Sequence, residues 1–198
     1  MDIQAIKKRM KTTAYAKFDA HKRYERLNNT SLFALTSASL LLIFIGIFSK
    51  YALDLCPAIK GELIELFSIV VSIIILVLSL VVSFASFTLK SERCLKVGND
   101  IIDLIDRLDI TTSDEESRNI INEYATLRKN ADNHQRFNYA RGRAERKLEK
   151  TNQPLSNTDK PSWWNWIEYW APIIAFYLIS AISLIIFSIM IYYCIKYA

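Results

Sequence analysis

The sequence predicts an all-α fold, an integral membrane protein with three transmembrane helices and a helical cytoplasmic region. Three observations carry that expectation. First, residues 27–49, 66–89 and 169–195 contain no Asp, Glu, Lys, Arg or His, and these stretches are 23, 24 and 27 residues long. An α-helix rises about 1.5 Å per residue, so about 20 residues cross the hydrocarbon core of a bilayer. Second, the charged segments between them repeat their apolar residues every three or four positions, which is the helical period. Third, the chain holds only four glycines, which argues against β-rich structure and against a Gly-rich phosphate loop. A mean hydropathy of +0.14 conceals the pattern, because long polar segments offset the apolar runs.

Residues 1–30 read as a basic amphipathic cytoplasmic helix. Ile3, Ile6, Met10, Ala14, Phe18, His21 and Tyr24 fall on one face, and no Pro or Gly interrupts them. Residues 31–50 form the first span. It lies behind a long charged segment with no small-residue cleavage site, so it is expected to be retained rather than removed as a signal peptide. Residues 51–65 are a short external loop and residues 66–89 the second span. Residues 90–150 are cytoplasmic helices. The first of them carries Cys94, Val97, Ile101, Leu104, Ile105 and Leu108 as a stripe, and nothing between Leu66 and Val97 breaks the helix that enters it. A break is expected at residues 109–112. Ser113-Asp114-Glu115-Glu116 then reads as a capping box, opening a helix with Ile120, Tyr124, Leu127, Ala131 and His134 on one face that runs to about Lys150. Residues 151–162, with Pro154 and Pro161, are a linker. Residues 163–170 hold all four tryptophans, Trp163, Trp164, Trp166 and Trp170. These read as an interfacial anchor, because indole rings are apolar but carry a hydrogen-bonding N–H; a partner-binding aromatic patch is the alternative. Residues 171–195 form the third span, with Tyr192 and Tyr193 at its far interface.

Basic residues in short flanks set orientation. The segment 1–26 holds eight Lys or Arg, whereas the loop between the first two spans holds Lys50 and Lys60 against Asp54, Glu62 and Glu65. The N-terminus and residues 90–162 are therefore expected in the cytoplasm, and the loop and C-terminus outside. The net charge of +5 is a topology signal, and no nucleic-acid partner is expected. Three cysteines, Cys56, Cys94 and Cys194, imply no disulfide framework.

Chemistry is sparse. No nucleotide-loop, dinucleotide or nucleophile-elbow motif occurs, and two histidines without a Cys or His cluster make no metal site. The chain is expected not to be an enzyme and to need no cofactor. His21 and His134 lie on apolar helix faces, where they pack or form a pair near the membrane. Ionisable groups are missing from the spans, which argues against proton-coupled transport and voltage sensing. One intramembrane feature is distinctive. Ser68, Ser72, Ser79, Ser83 and Ser86 are spaced 4, 7, 4 and 3, which puts them within about 60° of one another around the second span. Such a stripe either lets helices pack closely or lines a water-filled pore, and a pore would need several copies of so small a chain.

Lys11-Thr12-Thr13-Ala14-Tyr15-Ala16-Lys17-Phe18 and Lys22-Arg23-Tyr24-Glu25-Arg26, running into paired spans with a short external turn, resemble the SLATT family of bacterial membrane effectors. Asn130-Ala131-Asp132-Asn133-His134 followed by Phe137-Asn138-Tyr139 resembles the Asn-His motif of the subgroup with an added C-terminal span, although that subgroup more often has an acidic or small residue at the position of Asn130. The resemblance implies an oligomeric effector that permeabilises the bacterial inner membrane. Its partner would be a second-messenger synthase, a nucleotide sensor or a reverse transcriptase encoded nearby. It also makes His21, Asn133 and His134 candidates for a gating or structural role in the cytoplasmic helices. A non-conducting scaffold that recruits a partner through those helices is the competing reading.

Overall fold

The computed structural model describes residues 3–51, 61–131, 136–151 and 162–197. They form six α-helices and no strand: α1 (Ile3–Tyr51), α2 (Gly61–Ala85), α3 (Phe87–Ile110), α4 (Asp114–Asn130), α5 (Arg136–Thr151) and α6 (Trp163–Tyr197). Three helical segments, Ile3–Lys50, Ile64–Ile110 and Trp163–Tyr192, are long and apolar enough to cross a membrane, and each takes in all or most of one of the uncharged stretches. The chain divides into two compact units, residues 1–25 with 87–170, and residues 26–86 with 171–198.

The first unit is built on the two apolar stripes legible in the sequence. Met10 and Ala14 of α1 meet Ile101, Leu104, Ile105 and Leu108 of α3 and Ile120 and Tyr124 of α4 in one buried cluster. Phe18 lies against Gly98, where an added Cβ would come within 2.6 Å of the ring; the missing side chain makes room for the aromatic. The buried hydroxyls of Thr13 and Tyr124 hydrogen-bond at 3.0 Å, so the polar edge of this core is satisfied rather than left as a desolvated cost. Lys7 pairs with Asp109, and Arg107 with Glu123 at 3.0 Å. Both pairs are solvent-accessible, so each stabilises by about 1 kcal/mol or less.

The helix boundaries differ from the sequence expectation in three places. The second span does not run unbroken into the cytoplasmic helix: α2 stops at Ala85 and α3 starts at Phe87, with Ser86 between them at a φ of 49°. The helix after Ser113 ends at Asn130, where Ala131 turns extended, and α5 is a separate helix from Arg136. Ser113 does cap α4, but its side chain makes no capping bond. Three carboxylates, Asp114, Glu115 and Glu116, occupy the first turn instead and interact favourably with the exposed N–H groups through the helix dipole.

In the second unit, α1 buries Leu27, Ser31, Ala34, Ala38, Leu41, Ile45 and Phe48 along one stripe. Small residues in its first half suit close helix approach within a bilayer. On α6, Ile173, Ser180 and Ser183 are buried, and Phe44 meets Phe187 edge-on at 4.5 Å between ring centroids. None of the residues 64–85 of α2 is buried; Ile64, Ser68, Val71, Ile75, Leu78 and Val82 form a half-buried seam. Leu66, Ile69, Ile73, Leu76, Leu80 and Phe84 of α2, with Leu40, Ile43 and Ile47 of α1, are exposed and apolar. An exposed apolar surface this extensive suits hydrocarbon rather than water.

Candidate functional site

Two groups of residues stand apart from ordinary packing. The first lies in the first unit, on the face of α1 opposite its apolar stripe. Thr12, Ala16, Asp19, Ala20 and Arg23 are all buried there, although three of them are polar or charged. The reason is α5. Gly142 sits directly on the α1 backbone, and a Cβ at that position would lie 2.5 Å from the Ala16 nitrogen and 2.8 Å from its Cα. Only a glycine lets the two helices approach so closely. One residue before it, the Arg141 Nε donates to Asp19 Oδ1 at 2.8 Å. The Arg141 guanidinium also lies 4.4 Å from the centre of the Tyr169 ring, and that of Arg23 lies 5.8 Å from the same ring. Tyr169 is 1% exposed. An aromatic face attracts a cation, more strongly where water is excluded. The arrangement thus ties α1, α5 and the start of α6 together through one tyrosine.

Electrostatically the cluster is tense. Burial pushes the Asp19 carboxyl above its ordinary value, and the neighbouring Arg141 only partly opposes this. Burial likewise lowers the Arg23 guanidinium, against the pull of Tyr24, Tyr169, Asp19 and Glu168. Asp19 Oδ2, Asn138 Oδ1 and Arg146 Nε are buried with no hydrogen-bond partner among the described residues. Sequence reasoning missed this cluster, because a stripe of Thr, Asp and Arg reads as a solvated face. The available signal was Gly142, a glycine within the charged run from Arg136 to Lys150.

His21 has an unforeseen partner. Its Nδ1 lies 2.8 Å from the Ser91 Oγ and 3.2 Å from the Ser91 carbonyl oxygen, while the Ser91 hydroxyl donates to the His21 carbonyl at 3.1 Å. With Nδ1 protonated, ring and hydroxyl satisfy one another reciprocally and join α1 to α3. Asn133 and His134 lie outside the described residues. The tryptophans separate into two kinds: Trp163, Trp164 and Trp166 are exposed, whereas Trp170 is half-buried and meets Tyr169 edge-on at 5.3 Å.

The second group is the serine stripe of α2. Ser72, Ser79 and Ser83 are exposed, and Ser68 and Ser86 are half-buried. Ser72 donates to the Ser68 carbonyl at 2.7 Å, which leaves its oxygen lone pairs available as acceptors. At 100° per residue the three exposed serines are centred about 80° around α2 from the half-buried seam. Among the described residues, no group of three or more His, Cys, Asp or Glu is placed to hold a metal ion.

These features define a class: a helical membrane protein whose apolar spans are joined to a packed, charge-rich helical unit. The model of the SMODS and SLOG-associating 2TM effector domain family 5 matches residues 2–194. The chain belongs to that family and is a membrane effector protein, and the match runs on through most of α6, beyond the two spans in the family's description. No curated protein and no solved structure matches it.

Proposed function

We propose that the chain is one subunit of an oligomeric pore in the bacterial inner membrane, an effector that permeabilises the cell when a partner senses phage infection. The observation that carries this reading is α2. It is the most apolar of the candidate spans, none of its residues 64–85 is buried in the single chain, and its exposed serines, Ser72, Ser79 and Ser83, flank the half-buried seam that Ser68 joins. In a ring of copies, that flank is where a neighbouring α2 or a column of water would be met. A hydroxyl bonded back to its own helix still accepts from water, so a serine face is wettable without an ionised group in the bilayer.

The cytoplasmic unit holds the assembly closed and receives the trigger. The family's association with SMODS and SLOG supports a second-messenger synthase or nucleotide sensor encoded nearby as the partner; a reverse transcriptase is the other candidate. The chain itself catalyses nothing in this reading, and infected cells stop growing or die before phage spreads.

Ser79→Leu and Ser83→Leu test it. Both substitutions are apolar and helix-compatible, so the variants insert and assemble as the parent does. Triggered cells carrying them are expected to keep their membrane potential while wild-type cells lose it. A stable monomer in lipid, or unchanged depolarisation in the assembled variants, overturns the pore. A wild type that never depolarises when triggered points to the non-conducting scaffold.

A further inference from the structure

The chain passes between its two units three times, after Glu25, after Ser86 and after Trp170. Each passage carries a feature that weakens a helix. In α1, the hydroxyls of Thr30 and Ser31 donate to the carbonyls of Arg26 and Asn28, each at 2.8 Å, and such back-bonding softens and bends helices. In α6, Pro172 lies inside the helix, where it has no N–H to donate to the residue four before it. At the third passage the helix is interrupted outright, at Ser86.

That interruption has no cause in the local sequence. No Gly or Pro occurs between Leu66 and Val97. Yet Ser86 takes a φ of 49°, in the left-handed region that a side chain disfavours. It stands where a glycine ordinarily ends a helix. Its N–H donates to the Ser83 carbonyl at 3.3 Å, which is one of the two bonds of a Schellman cap, and its hydroxyl donates to the same oxygen at 3.3 Å. Local preference therefore favours one unbroken helix from Gly61 to Ile110. The observed backbone keeps the break, and α3 beyond it is held in its own unit, where Ser91 is clamped to His21, Gly98 lies against Phe18 and Ile101 is seated in the core. Two arrangements of the same segment compete, and one residue's dihedral angles separate them.

We propose that Ser86 is a conformational switch, broken in the resting chain and helical once the cytoplasmic unit releases α3. Restoring helical dihedrals at Ser86 joins α2 and α3 into one continuous helix. The switch stands on the backbone geometry alone; its consequence for gating rests on the pore reading above.

Spin labels at Ile73→Cys and Arg93→Cys, both exposed positions, report on it in the full chain, with the native cysteines replaced by alanine and the protein reconstituted in lipid vesicles. Twenty residues of unbroken helix separate the labelled Cα atoms by about 30 Å, a distance that only the continuous form fixes. Ser86→Gly, which fits the observed φ, is expected to remove the 30 Å population. Ser86→Asn also tolerates that φ and serves as a second variant with the same expectation. Ser86→Ala, a strong helix former that resists a positive φ, is expected to shift the distribution toward 30 Å. Identical distributions in wild type, Ser86→Gly and Ser86→Ala overturn the switch. In cells, Ser86→Ala is expected to depolarise the membrane severalfold faster than wild type without a trigger, and Ser86→Gly to delay triggered depolarisation. A distance shift with no change in depolarisation overturns the gating role while the hinge stands. Failure of the pore itself appears instead as a wild type that never depolarises.

Discussion

At the scale of single residues, the Asp19–Arg141 pair invites a misreading. It resembles a stabilising salt bridge, but desolvation outweighs the attraction, since the Asp19 carboxyl is raised from its ordinary 3.8 rather than lowered. A carboxyl raised in the folded state binds its proton more tightly there than in the unfolded chain. Its contribution to stability is thus fully present below the unfolded value and is lost as pH rises through the folded one. Asp19→Asn is accordingly expected to leave thermal stability at neutral pH equal or higher, and to remove the part of the pH dependence that favours mild acid. Arg141→Ala is expected to do the opposite, because it strands a carboxylate whose side chain is 6% exposed; a loss of about 1–3 kcal/mol follows from leaving such a group unsatisfied. Thermal unfolding of the detergent-solubilised variants between pH 4 and 8 checks both. Gly142→Ala argues from competing magnitudes. Alanine gains about 1 kcal/mol in helix propensity, but its Cβ meets the Ala16 backbone at 2.5 Å. Backbone atoms cannot rotate away as a side chain does. Overpacking costs about 1–3 kcal/mol, so a net loss of thermal stability is expected, and an unchanged or higher melting temperature would show that α5 does not press on α1.

At the scale of the helices, what could be read from sequence was whatever followed the hydrophobic period. Met10, Ala14, Ile101, Leu104, Ile105 and Leu108 were legible as core and are core, because apolar residues at helical spacing have no better place. The second face of α1 was not legible. Its residues are polar, and their burial depends on α5, which arrives more than a hundred residues later in the chain with a glycine at the point of closest approach. The Ser86 break was illegible for a related reason: no Gly or Pro marks it, and local propensity favours continuation. The short motifs behind the family resemblance gain a physical sense here. Thr12, Thr13, Ala16 and Lys17 in the first, Arg23 in the second and Asn138 in the third are all buried. These positions are constrained by helix packing on both faces of α1, which is why a charged-looking segment carries a recognisable pattern. Asn133 and His134, the sequence's first gating candidates, lie outside the described residues, whereas the described unit offers the His21–Ser91 clamp and the Tyr169 cluster in their place.

At the scale of the whole molecule, the parity of the membrane crossings follows from which segments share a core. Residues 1–25 and 87–170 form one compact unit, with α1 and α3 contributing to a single buried cluster. Two segments that pack together lie on one side of a bilayer. The chain between them is therefore expected to cross an even number of times, which the first two apolar stretches would supply. The third stretch leaves the same unit after Trp170, so a full crossing would put the far end of α6 on the opposite side. Parity alone leaves both orientations open, and the basic residues are expected to choose between them. Eight lysines and arginines precede residue 27, and moving them across the membrane potential costs about 2.3 kcal/mol per charge for each 100 mV. Glu115→Cys, exposed at the start of α4, and Lys196→Cys, exposed near the end of α6, report the outcome in a background without the native cysteines. A membrane-impermeant maleimide applied to intact spheroplasts is expected to label position 196 alone, with position 115 labelled only after lysis. Labelling of both in intact cells would mean that the apolar stretches do not all cross. Labelling of 115 alone would show that the basic segment does not set the orientation.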